Sequence, residues 1–478
     1  MTRPSKKKQV EVHLRIRPLV KEELERQDVP LVLTCLDGAD GLTNLSLTTP
    51  KTEADDVEFV EVLGFQVPKS KPKRDKTFRR FHSVHDDVAN EAFFKTTVAP
   101  LVQDTLAGRT ACCFAYGHTG SGKTHTILGY GTEHGMYHLA SKQLFDAIDD
   151  VRDQHSSVDP IDHPKIQVRL NEIYNGEVYD LLNDSAKCYV REDAHGKVQI
   201  RGDTVVDPDT GLVSTTASTS LVAATHDDLL DIVRVGLAAR STGNSNVHRA
   251  SSRSHAIVEL EFVSDRILQL RQQVDALESE YTSIRHERDA LEMDIFTRQH
   301  YKVEGKWVKK ENAQGSTDEE CSRLLDLRKA YLAVEAQKRA AQRNVEVAQS
   351  EGGFVPKGIA TDVSLHVGLP CVGGTLVFVD LAGSEHASKS TDGIQKTEEE
   401  QQECREINKS LSALKACFRA QSQGLTSTSC YRNSKLTLVL RDHLKSSHTA
   451  MIAAVSPSSF HVDKTIHTLQ YAQLVAEK

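Results

Sequence analysis

The chain has 478 residues, 38% of them hydrophobic and 26% charged, with a formal net charge of −8. That apolar content is enough to bury a real core, in one large domain or in two or three ordinary ones. The acidic balance argues against a general nucleic-acid binder, which is normally basic, although basic residues gathered on one face would still suit an acidic partner.

The first eight residues (MTRPSKKK) are basic, but no apolar stretch follows them, so a secretory signal is not expected. No apolar run approaches the roughly 18 residues that a membrane-spanning helix needs. The nine cysteines show no metal-ligand spacing and read as reduced thiols of a cytosolic protein. In chain order, the first predicted strand is Val10–Ile16 (VEVHLRI), which alternates apolar and polar residues. Residues 69–80 (KSKPKRDKTFRR) form a basic, proline-containing stretch that reads as a solvated loop. Residues 111–116 (ACCFAY) run straight into glycines, as a buried parallel strand would. Residues 165–173 and 374–379 also read as strands.

Residues 264–352 differ in composition from the rest. Ile267, Leu270, Val274, Leu277, Tyr281, Ile284, Leu291 and Ile295 follow alternating three- and four-residue spacing, broken once at Arg288. A second run follows at Leu324, Leu327, Tyr331, Val334, Ala341 and Val345. Between them, residues 299–320 hold Gly305, Gly315 and the only tryptophan, Trp307, and are expected to turn the chain. The pattern predicts two helices in an antiparallel hairpin, each arm of roughly 30 residues reaching about 45 Å. Heptads alone leave open whether the helices pair within one chain or between chains. The hairpin, placed at 264–360, is expected to be an insertion in a body built from 1–263 and 361–478.

Residues 117–124 (GHTGSGKT) match G-x-x-x-x-G-K-[ST] between a predicted strand and a predicted helix. Gly117, Gly120 and Gly122 let the backbone wrap phosphates closely, so that its N–H groups and the helix N-terminus face the anion. Lys123 would neutralise the β- and γ-phosphates, and the Thr124 hydroxyl would coordinate Mg²⁺. Asp380 ends an apolar strand and begins DLAGSE (380–385), where a carboxylate can reach the metal through water and Gly383 can bring an N–H to the γ-phosphate. Residues 251–255 (SSRSH) supply two hydroxyls and a guanidinium able to sense that phosphate.

Taken in this order, GHTGSGKT, SSRSH and DLAGSE resemble the P-loop, switch I and switch II of kinesin motor domains. LRIRP (14–18) resembles the segment that holds adenine, INKSL (407–411) the helix after switch II, and YRNSKLT (431–437) the loop and helix that touch the track. SPSSF (456–460) and TLQYA (468–472) resemble the family's last strand and helix. The resemblance implies an α/β P-loop fold, a central mixed β-sheet flanked by helices, and microtubule-stimulated hydrolysis of ATP with Mg²⁺ in the cytoplasm.

Carried over residue by residue, the ATP pocket comprises Gly117, His118, Thr119, Gly120, Ser121, Gly122, Lys123 and Thr124. Arg15, Arg17, Pro18 and His125 lie about the adenine. Thr124 and Ser252 would hold Mg²⁺, and Asp380 would hold it through water. Ser251 approaches the γ-phosphate, Gly383 senses it, and Arg253 with Glu385 forms the gate that positions the lytic water. Lys389, Arg405, Lys409, Arg432 and Lys435 are the expected contacts with acidic tubulin, and the hairpin is a candidate seam for a second copy or a partner helix.

The chain also departs from the family pattern. His248 stands where an asparagine is usual, with Asn246 two positions early. His386 replaces a lysine, Leu438 stands where a basic residue is common, and residues 420–430 carry no lysine. The chain stops at Lys478, where the family's neck linker would begin, which fits either a motor domain from a longer protein or a kinesin-like protein without a conventional lever. A gripping, non-stepping microtubule crosslinker is the rival expectation.

Overall fold

A computed structural model describes residues 10–476 except 27, 29–30, 39–40, 49–58, 63–64, 69–75, 155–158, 193–195, 197, 207–212, 243–251, 304–305, 311–314, 352–372, 385–396 and 426–428. Labelled in chain order, the strands of the main sheet and of the helical hairpin's tip are β1 (Val10–Ile16), β2 (Ser83–Asp86), β3 (Thr110–Tyr116), β4 (Lys165–Tyr174), β5 (Glu177–Asp180), β6 (Ala186–Glu192) and β7 (Val198–Val206). They continue as β8 (Val213–Ala217), β9 (Leu221–Ala223), β10 (His255–Val263), β11 (His300–Val303), β12 (Lys306–Lys309), β13 (Thr375–Asp380) and β14 (His448–Val455). One 12-stranded sheet carries the order β8-β7-β6-β5-β4-β10-β13-β3-β14-β1-β2, with β9 on β4. From β13 to β2 neighbouring strands are parallel, and from β13 through β10 to β4 they are antiparallel, so the sheet is mixed.

The central strands are apolar on both faces because helices cover both. Along β3, Cys112, Phe114 and Tyr116 point into one hydrophobic layer and Ala111, Cys113 and Ala115 into the other. On the first side lie α8 (Glu398–Ser422) and α11 (Val462–Ala476). There Phe114 stacks on Phe418 and Tyr116 on Tyr471, with centroids 5.4 and 3.9 Å apart. The opposite layer is closed by α1 (Asn90–Thr97), α2 (Ala99–Leu106), α4 (Met136–Gln154) and α5 (His226–Thr242). Only the five-residue α3 (Lys123–Ile127) leaves the P-loop, and α9 (Lys435–Val439) and α10 (Arg441–Ser446) precede β14.

The basic stretch at 69–80 differs from its reading as a solvated loop. Its second half enters the strand Lys76–Phe81, where Phe78 and Phe81 are buried among the arginines. Two aromatics at three-residue spacing anchor a stretch whose charges suggested solvent.

Beyond β10, α6 (Asp265–Gln299) and α7 (Asp318–Glu351) form an antiparallel hairpin within one chain. Ile267, Val334 and Ala341 are buried, and the other heptad positions are half-buried. Arg288, the break in the heptads, lies over the Tyr331 ring at 4.7 Å. Both arms are longer than predicted, and the link between them contains a second hairpin: β11 pairs antiparallel with β12.

Candidate functional site

The sheet topology brings the chemistry to one edge. Parallel strands β3, β13 and β14 end there, and antiparallel β10 begins there. Asp380 sits beside Ala115 on one side and Ala256 on the other. Ligands of open α/β sheets bind outside such carboxyl ends.

The P-loop leaves β3 with Gly120 and Gly122 at φ +79° and +97°, the left-handed region that glycine enters without penalty. A Cβ on Gly117 would collide with the Ala454 carbonyl oxygen, so the loop's approach to β14 requires glycine there. Arg17 fixes the loop from outside. Its Nε donates to the Gly120 carbonyl at 2.6 Å, while its two terminal nitrogens fork onto Glu23, each at 2.7 Å. Burial alone would raise the Glu23 pKa, but the Arg17 fork and the Val20 amide hold it down at about 2.

Lys123 is buried and donates to the His118 carbonyl at 3.0 Å. Thr124 Oγ1 donates to Asp380 Oδ2 at 2.9 Å, which brings together two of the three residues expected at the metal. Among the described residues, the second carboxylate oxygen of Asp380 is buried with no hydrogen-bond partner, as are both His118 ring nitrogens and Ser121 Oγ. Burial, with His461 and Lys123 nearby, pushes the His118 pKa down to about 2, so its ring is neutral. A hydroxyl, an open carboxylate oxygen and phosphate oxygens are the donor set that Mg²⁺ accepts while keeping waters of its own, so the residues present fit that ion.

Ser384 donates its amide to the Gly117 carbonyl (3.1 Å) and Gly383 donates to the Ser252 carbonyl (2.9 Å). The start of DLAGSE is thereby tied to both the P-loop and SSRSH. The Gly383 N–H, expected at the γ-phosphate, is engaged by Ser252 here. Arg253 pairs with Glu403 at 2.5 Å and Glu400 at 3.3 Å, in the first two turns of α8. Ser251, Glu385 and Lys389 lie outside the described residues, as do His248, Asn246 and His386.

The residues expected about the adenine separate. Pro18 is exposed, and His125 is half-buried with Nε2 3.0 Å from Glu133. The Arg15 guanidinium points inward, bonded to Asn90, to Thr126 Oγ1 (2.8 Å) and to the Val88 carbonyl (2.9 Å). Thr126 in turn donates to the Gly122 carbonyl at 2.7 Å, so Arg15 supports the P-loop through a second residue.

Three positions that sequence reading missed belong to the site. Buried Arg240, from α5, reaches Asp380 Oδ2 at 3.3 Å and donates to the Ser254 carbonyl at 2.9 Å. A basic residue in the last turn of a helix just ahead of SSRSH was the available sign. Glu403 had only its place in a helical run. His255 belonged to a recognised motif without a role, and its geometry supplies one. The Ala382 amide donates to Nδ1 (3.0 Å), which leaves the proton on Nε2 facing Ser410 Oγ (2.8 Å). Ser410 then donates to the Ile407 carbonyl at 2.8 Å. Burial, with Arg240 and Lys123 nearby, pushes the His255 pKa down to about 3, so this neutral relay from β13 to α8 persists at physiological pH.

Of the expected track contacts, Lys409, Arg432 and Lys435 line one cleft of about 250 Å³ that also reaches Arg253 and His255. Lys409 is paired with Glu406 (3.2 Å) and Arg432 with Glu192 (2.7 Å), while Arg405 is exposed on α8.

Comparison with known proteins agrees with this geometry. A model of the kinesin motor domain matches residues 15–282 and 289–477. Human kinesin-like protein KIF24 is 28% identical over 389 residues, 81% of this chain and 19% of that protein. Mouse KIF24 is 28% identical over 390 residues with the same coverage, so the chain spans about a fifth of the length of these relatives. Among solved structures, the C-terminal motor and motor homology domain of Kar3Vik1 matches at a TM-score of 0.57 with 22% identity, over 98% of this chain and 85% of that one. A KIF14 dimer with AMP-PNP on a microtubule matches at 0.55 with 20% identity, over 98% and 93%. At those identities the structures speak for the fold. With a family model that covers most of the chain and a P-loop, Asp380 and SSRSH meeting at one sheet edge, the chain belongs to the kinesin motor domain family.

Proposed function

We infer that this chain hydrolyses ATP and that microtubules stimulate the turnover. The observation that carries this reading is the meeting of Thr124 with an Asp380 that keeps one buried oxygen open, beside a P-loop whose curvature Arg17 and Arg15 hold in advance. Lys123 and the P-loop amides bind the phosphates. Thr124, Ser252 and Asp380 would hold Mg²⁺, which when bound neutralises charge on the β- and γ-phosphates.

A γ-phosphate would compete with the Ser252 carbonyl for the Gly383 amide. Arg253 would leave Glu400 and Glu403 to meet Glu385, closing the gate over the lytic water with Ser251. The switches then act as a two-state element biased by the phosphate. His255 and Ser410 pass the change to α8, which carries Arg405 and Lys409 toward the track. The cytoplasmic microtubule array is the corresponding location.

The test is steady-state ATPase with increasing microtubules, beside Glu385→Ala. Stimulation that disappears in the variant supports the reading, and background turnover despite microtubule pelleting overturns it. That second outcome is the non-stepping crosslinker, which is favoured by the engagement of Lys409 and Arg432 in ion pairs of their own. We also propose that 264–360 is an insertion within a body formed by 1–263 and 361–478.

A further inference from the structure

The tip of the helical hairpin combines three properties that its structural role does not require. It is basic: residues 300–310 (HYKVEGKWVKK) hold four lysines and one glutamate, in a chain whose net charge is −8. It is apolar and open to solvent: Tyr301, Val303, Trp307 and Val308 are 47%, 45%, 48% and 39% exposed. It is also held far from the body, because α6 has 35 residues and so reaches about 52 Å.

The arms form a strut with fixed ends. At the base, Lys165 pairs with Asp265 (2.7 Å), Arg266 with Asp162 (2.6 Å) and Arg271 with Glu261. Along the arms, Lys338 meets Glu278, Arg328 meets Glu292 and Arg323 meets Glu287, at 2.5 to 2.8 Å. The tip strands pair Tyr301 with Val308 and Val303 with Lys306, which puts Tyr301, Val303 and Val308 on one face. On the other face Trp307 meets the Phe296 ring edge-on at 5.2 Å, between Lys302 and Lys309. Among the described residues, Lys302, Lys306 and Lys309 have no carboxylate in an ion pair.

We propose that this tip docks on an anionic lipid surface, with Tyr301, Val303, Trp307 and Val308 entering the headgroup layer and Lys302, Lys306 and Lys309 facing the lipid phosphates and carboxylates, while Lys310 donates back to the Thr297 carbonyl at 3.1 Å. Tyrosine and tryptophan settle at the membrane interface, where one end of the ring is apolar and the other wet. Lysines beside them extend their charges to the headgroups. The two strands present apolar side chains on both faces, which suits a soft layer better than a groove in a rigid partner.

Trp307 is the only tryptophan in the chain, so its fluorescence reports the tip alone. The purified chain is titrated with phosphatidylcholine vesicles with and without phosphatidylserine, and with microtubules. The proposal expects a blue shift with phosphatidylserine vesicles, quenching by brominated lipid, and no change with pure phosphatidylcholine. Each lysine replaced by alanine lowers vesicle affinity by roughly fivefold, and Tyr301→Asp with Val303→Asp abolishes the shift. Retained near-ultraviolet dichroism and basal ATPase show that these variants fold. An unchanged spectrum with anionic vesicles overturns the proposal, and so does an equal response to neutral vesicles. A shift with microtubules but not with vesicles overturns it in favour of an acidic protein partner.

Discussion

Arg17 and Glu23 show how much of the pocket depends on single side chains. Glu23 is 2% exposed and its charge is balanced by the Arg17 fork, with Ser456 Oγ donating to the same carboxylate at 3.2 Å. Arg17→Ala leaves that carboxylate buried without its cation and frees the Gly120 carbonyl, a loss of about 3–5 kcal/mol. Urea unfolding should show this loss, and nucleotide affinity should weaken with it. Arg17→Ala combined with Glu23→Gln should recover part of the stability while nucleotide binding stays weak, because the P-loop has still lost its external support. His255 makes a second residue-scale prediction. His255→Ala strands the Ala382 amide and empties a buried site, so stability should fall by about 2–4 kcal/mol. Microtubule stimulation should fall more than basal turnover, since the relay to α8 is cut. An equal fall in both would remove the relay role.

Between elements, His448 ties the start of β14 to β1 and α2. Its Nδ1 lies 2.7 Å from Asp104 and its Nε2 3.3 Å from Glu11. Hydrogen bonds to Asp104 and then Glu11 raise its pKa from 6.5 to about 9. A pKa raised on folding stabilises fully below pH 6.5, and that contribution disappears as pH rises through 9. It is on the order of 2 kcal/mol, so urea unfolding should show stability declining between pH 6.5 and 9, with a flatter profile for His448→Gln. The elements also show what was legible in the residues. β1 lies at the predicted residues because its alternation is local, and β3 and β13 start or end within one residue of expectation for the same reason. The heptads placed the arms of α6 and α7, but not the β11–β12 pairing at the tip, whose valines and aromatics looked like the contents of a turn. Arg15 and Arg17 read alike in LRIRP, but Arg15 lies within β1 and reaches Thr126, whereas Arg17 lies just past the end of the strand, where the chain turns, and reaches Glu23.

At the scale of the whole molecule, the body and the projecting hairpin answer to different forces. The body closes around two hydrophobic layers, whereas beyond Glu278 every ion pair among the described residues joins the arms to each other or lies within one arm. Replacing 285–328 by a short glycine–serine turn keeps the Tyr281–Tyr331 contact and should change the stability of the body by less than about 1 kcal/mol. Calorimetry checks this, and a larger drop would mean that the distal arms lean on the body. Contiguous motifs carry their own backbone geometry, so the sequence by itself determined the P-loop, the Asp380 strand end, SSRSH and the heptad arms. It could not determine which partner each side chain meets. Arg253 on Glu403, Arg240 on Asp380, the Gly383 amide on Ser252, and the pairing of α6 with α7 inside one chain are contacts between separate segments. Residue spacing holds no record of such distances, and only the packing of the sheet and its helices sets them.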